Sequence, residues 1–126
     1  MGLKDLIQES DFKKEKHVPV IEVVEKNENK CKLHVSVGKE IPHPNTTEHH
    51  ICWIEVYFKP DDGKFPYLLG SFSFDAHGAS VNGPNTSGVF TEPDATFVAK
   101  IDVPGELFAL SYCNIHGLWE SEKIKI

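Results

Sequence analysis

The chain has 126 residues, 40% hydrophobic and 25% charged, which fits a soluble globular protein and excludes disordered and collagen-like classes. Its net charge of −6, with 13 lysines and no arginine, argues against nucleic acid as a partner and against guanidinium-fork recognition of anions. Seven histidines beside a single methionine are the compositional anomaly, and they point to metal.

Residues 1–16 are polar and lysine-rich, with at most one weak helical turn around Leu3 to Gln8. No apolar stretch there predicts a secretory signal, and no run approaches the roughly 20 apolar residues of a membrane helix. The three cysteines, an odd number, predict a reducing, cytoplasmic setting rather than a disulfide framework. After Pro19 the chain alternates β-branched and polar residues from Val20 to Glu25. It turns at Lys26-Asn27-Glu28-Asn29-Lys30 and alternates again from Cys31 to Val37, which predicts a hairpin. Gly38 to Glu48 holds Pro42 and Pro44 and cannot be a central strand. His50 to Lys59 is the clearest strand, with His50, Cys52, Ile54, Val56 and Phe58 on one face and His49, Ile51, Trp53, Glu55 and Tyr57 on the other. Asp61-Asp62-Gly63 turns the chain into a strand over Tyr67 to Asp75, and a glycine- and asparagine-rich loop covers Ala76 to Gly88. Further strands are predicted at Ala95–Val103, Glu106–Cys113 and Leu118–Ile126. About seven short strands with regular turn signals predict an all-β fold, an immunoglobulin-like antiparallel β-sandwich, in one domain spanning 1–126.

The chemistry gathers at Cys113-Asn114-Ile115-His116-Gly117. A thiolate and an imidazole three residues apart, with a glycine permitting a tight turn, resemble half of a metal knuckle. A zinc ribbon needs a second such pair, but Cys31 and Cys52 lie 21 residues apart inside strands and read as core or interface residues. His43 stands between Pro42 and Pro44, which stiffen the backbone around it. His49 and His50 fall on opposite faces by alternation, so one of the two is expected at a common site, and alternation does not choose between them. His17 sits in a polar run that composition alone assigns to solvent. His34 and His77 read as surface histidines. A copper site of the blue type needs two histidines, a cysteine and a weak axial group. The only methionine is Met1, which weakens that alternative, a cupredoxin-like electron carrier.

Three blocks together resemble the superoxide reductases of the neelaredoxin and desulfoferrodoxin family. They are Glu15-Lys16-His17-Val18-Pro19, His43-Pro44-Asn45-Thr46-Thr47-Glu48-His49-His50-Ile51 leading to Trp53-Ile54-Glu55, and Cys113-Asn114-Ile115-His116-Gly117-Leu118-Trp119. The resemblance selects His49 over His50. It implies one iron held by His17, His43, His49 and His116 in a plane, with Cys113 as the axial thiolate. No cysteine precedes Cys31, so the chain is similar to the single-centre, neelaredoxin-like type.

What the resemblance implies is an enzyme that reduces superoxide to hydrogen peroxide by one electron. Lys16 would add positive potential at the open face, and Glu15 would become a ligand in the oxidised state. A rubredoxin-like protein would be the electron donor, and a homotetramer the expected assembly.

Overall fold

The computed structural model describes residues 1–126. Alternating β-branched and polar residues give the strands β2 (Pro19–Asn27), β3 (Lys30–Val37), β4 (Ile51–Pro60), β5 (Tyr67–Ser73), β6 (Asp94–Lys100) and β7 (Gly105–Cys113). Three shorter strands complete the set: β1 (Gln8–Glu9), β8 (Gly117–Glu120) and β9 (Ile124–Lys125). One sheet runs β1-β8-β7-β4-β5, with β9 also on β7, and the other runs β2-β3-β6. Every pairing is antiparallel except that of β1 with β8. The two sheets share one apolar core, so the expected immunoglobulin-like sandwich is the observed architecture.

Period-two alternation decides what the core contains. Leu33 and Val35 from β3, Ile54 and Val56 from β4, and Leu107 and Ala109 from β7 are each 0% exposed. No helix is long and apolar enough to cross a membrane.

Three sequence expectations are adjusted. The β2–β3 turn is tighter than the polar cluster predicts, because Asn27 still pairs with Lys30 and Glu28 adopts φ +57°. The last strand, expected as one piece, is broken at Ser121-Glu122-Lys123. There the Ser121 hydroxyl accepts from the Ala109 amide at 2.9 Å and the register on β7 shifts by one residue, a bulge that alternation cannot reveal. The polar N-terminus forms a 3-10 turn at Leu3–Asp5 and then the two-residue β1, whose exposed side chains leave no apolar signal.

His34 crosses the outer face of the smaller sheet. Its Nδ1 lies 3.2 Å from Glu22 on β2 and its Nε2 2.7 Å from Asp94 on β6, while Lys39 binds Glu22 at 2.9 Å. Burial by itself lowers the His34 pKa, but the hydrogen bonds and charges of Asp94 and Glu22 outweigh it and raise the pKa above 6.5. A raised folded-state pKa stabilises the protein fully below the unfolded value and ceases to do so as pH climbs through the folded one. These groups are partly exposed, so solvent screening limits the effect to at most about 1 kcal/mol. We expect His34→Gln to flatten the fall in melting temperature above pH 6.5. Parallel melting profiles for the two proteins would count against a role for this cluster.

Candidate metal centre

Three separate segments bring the candidate residues to one end of the sandwich. His17 is the last polar residue before β2. Its carbonyl accepts from the Ser111 hydroxyl on β7 at 2.9 Å, with Ser111 wholly buried, and this tie draws a polar stretch inward until His17 is 5% exposed. His43 rides on the proline-flanked loop, and Gly38 at φ +98° lets that loop close. A Cβ at Gly38 would stand 3.1 Å from the His43 amide nitrogen. His49 closes a turn in which Thr46 donates from its amide to the His49 carbonyl at 2.9 Å and accepts from the His49 amide at 3.0 Å. Cys113 ends β7 and pairs with both Ile51 and Gly117. Gly117, at φ +79°, permits the turn that carries His116.

The ligand atoms of His17, His43, His49 and Cys113 lie within 4.8 Å of one another. His116 adjoins all but one of them. Its Nδ1 is 3.0 Å from His17 Nε2, 3.2 Å from His49 Nε2 and 3.7 Å from Cys113 Sγ, and His43 Nε2 is likewise 3.7 Å from Cys113 Sγ. Two nitrogens bound at right angles about 2.1 Å from one metal would be roughly 3 Å apart, so the spacing is that of neighbouring ligands.

The surroundings leave lone pairs facing inward. Glu15 accepts from His17 Nδ1 at 2.5 Å and from the His17 amide at 3.1 Å, and the Pro44 carbonyl accepts from His43 Nδ1 at 2.6 Å. Each ring therefore carries its proton on the outer nitrogen and presents an unprotonated Nε2. Burial lowers the pKa of His17 and His49 and takes that of His43 to about 4, so these rings are neutral near pH 7. The inward lone pairs of His17 and His43 and the buried sulfur, packed this closely, repel one another. One proton on His116 Nδ1 relieves two of the contacts at best, whereas a cation at the centre relieves all of them.

Glu15 and Lys16 flank the cluster. Burial raises the Glu15 pKa, but its bonds from His17 prevail and lower it. After burial, the Lys16 ammonium is a further cause that lowers the pKa of His17, His43 and His49, so its positive potential reaches the cluster.

Two residues that the motifs contain but sequence reasoning gave no task hold the segments together. Asn114 accepts from the His50 amide at 2.9 Å, donates from its own amide to His50 O at 3.2 Å, and donates its side-chain amide to Glu48 O at 2.9 Å. Trp119 stacks on His17 (centroids 4.9 Å apart, planes at 16°) and donates to the His116 carbonyl at 3.2 Å. His50, the alternative to His49, faces away and stacks on His77. His34 lies on the smaller sheet and takes no part.

Fold and geometry together define a β-sandwich protein with a histidine–cysteine cluster able to hold one metal ion. The desulfoferrodoxin family model matches residues 9–122, and the chain belongs to that family. It is 60% identical over 120 residues to the superoxide reductase of Pyrococcus furiosus, covering 95% of this chain and 96% of that one. It is 54% identical over 125 residues to the neelaredoxin of Megalodesulfovibrio gigas, covering 98% and 96%. Among solved structures it is similar to the superoxide reductase (neelaredoxin) from Archaeoglobus fulgidus in the reduced form. That match has a TM-score of 0.92 at 60% identity and covers 96% of this chain and 98% of that one.

Proposed function

We propose that this chain is a superoxide reductase, a single domain over residues 1–126 holding one iron through His17, His43, His49, His116 and Cys113. The convergence of these side chains from three distant blocks carries the reading. Five donors of mixed nitrogen and sulfur type exceed the four that zinc usually takes and suit iron. Bound iron would supply one electron by passing from the ferrous to the ferric state. Superoxide gains that electron and two protons and leaves as hydrogen peroxide.

The chain's own residues organise this. Glu15 and Pro44 fix the tautomers of His17 and His43, so that metal binding displaces no proton from either ring. The His116 amide donates to Cys113 Sγ at 3.4 Å and so orients the wholly buried sulfur toward the imidazoles. Lys16 offers the positive potential that draws a small anion to an acidic protein, since local field rather than net charge governs capture. In the role of a ligand in the oxidised state, Glu15 has to release both of its bonds to His17, so its arrival would be coupled to movement of the loop at residues 15–17.

No flavin or nicotinamide motif occurs in the chain. Re-reduction is therefore assigned to a small protein donor; the family resemblance makes that donor rubredoxin-like and the assembly a homotetramer, and the odd cysteine count points to the cytoplasm.

Iron analysis combined with stopped-flow mixing tests the reading. We expect one iron per chain and one peroxide formed per superoxide consumed when a reductant is present. Oxygen release without any reductant would identify a dismutase instead, and protein without iron would remove the centre altogether.

A further inference from the structure

His43 and His49 sit on one loop, and a second loop, residues 76–91, grips it along its length. Thr47 lies at the middle of that grip. Its hydroxyl donates to the His77 carbonyl at 2.7 Å and accepts from the Asn85 amide at 3.1 Å, while its own amide donates to Asn85 Oδ1 at 2.9 Å. Asn85, at φ +58°, also reaches both carboxylate oxygens of Glu48 at 3.0 Å. On the other side of Thr47, His77 Nδ1 lies 2.8 Å from Asn45 Oδ1, and Asn45 donates onward to the Thr91 carbonyl at 3.0 Å. The His77 ring lies flat on His50, centroids 3.5 Å apart and planes at 4°, and also bonds the Phe74 carbonyl. The gripping loop is itself closed by bonds from Thr91 N to Ala76 O and from Gly78 N to Val89 O.

None of these side chains points a ligand atom at the cluster. They hold Asn45, Thr47, Glu48 and His50, the residues around and between His43 and His49. A loop free to sample other conformations must lose that freedom when its two imidazoles bind one ion; a loop already held does not. Asn85 suits the purpose, because asparagine adopts positive φ more readily than other residues with a side chain.

We propose that the 76–91 loop is the positioning element of the metal centre, with Thr47, His77 and Asn85 as positioning residues that set the spacing of His43 and His49. This rests on the metal-centre reading above. Partners of metal ligands typically alter metal affinity about 10–100-fold when lost.

The test compares Thr47→Val, which keeps the shape and deletes the hydroxyl, with Thr47→Ser, which restores it, and with Asn85→Ala as a second break in the same network. Each protein is loaded with ferrous iron and challenged with excess chelator. The melting temperature of the metal-free form is measured alongside. We expect iron release to quicken about 10–100-fold in Thr47→Val and in Asn85→Ala, to return to the original rate in Thr47→Ser, and metal-free melting to change little. Equal release from Thr47→Val and the unaltered protein overturns the positioning role while leaving the metal centre standing. So does faster release that follows a matching loss of metal-free stability and is not rescued by serine. Failure of the unaltered protein to retain iron overturns both.

Discussion

Replacing Cys113 with serine is expected to remove the thiolate-to-metal absorption band of the oxidised protein and to reduce superoxide reduction by about two orders of magnitude or more. Losing a residue that merely orients a ligand costs about 10–100-fold at metal sites, so losing a ligand atom sets the upper end of that range as a floor. Serine cannot substitute, because a metal takes cysteine as the thiolate and an alcohol gives up its proton far less readily than a thiol. Cys113 is 0% exposed, and its sulfur accepts from the His116 amide at 3.4 Å. Iron content measured beside the spectrum separates loss of metal from loss of the band. A band that survives in the serine variant would show that Cys113 is not a ligand.

The second large effect is expected in the core beneath the site. Ile54 is 0% exposed on β4, between Phe72 on β5 and Ser111 on β7, three residues after the strand emerges from the His49–His50 turn. Ile54→Ala removes three carbons from a packed interior and leaves a cavity that rigid strands on both sides cannot collapse, costing about 3 kcal/mol. For a domain of this size that is a fall of roughly 10 °C in melting temperature. Metal-free protein is the right material, since bound metal adds its own stabilisation and masks part of the loss. A fall of only a degree or two would mean that the site repacks.

Much of this was legible along the chain because the signals were local. Strands β2 to β7 follow from alternation, and Leu33, Val35, Ile54 and Val56 sit where period two puts them. Cys113, His116 and His43 stood out through spacing and flanking prolines. The choice between His49 and His50 was not legible from alternation, since both precede β4, which begins at Ile51, and the Thr46–His49 turn rather than a pleat sets their directions. Resemblance had to decide it. His17 was hidden by polar neighbours, and its burial depends on Ser111 and Trp119, some hundred residues away. His77 looked like a surface residue because two of its partners, Asn45 and His50, lie on a distant segment.

The sequence by itself therefore determined the sandwich, its core and the residue types of the centre, because hydrophobic period and chemical type are properties of single residues and near neighbours. Only the tertiary structure decided which nitrogen each imidazole turns inward, that Glu15 orients His17, and that residues 76–91 grip the ligand loop. Those depend on hydrogen bonds between groups far apart in the chain, whose partners are chosen by the packing of the sheets and loops and leave no periodic trace in the sequence.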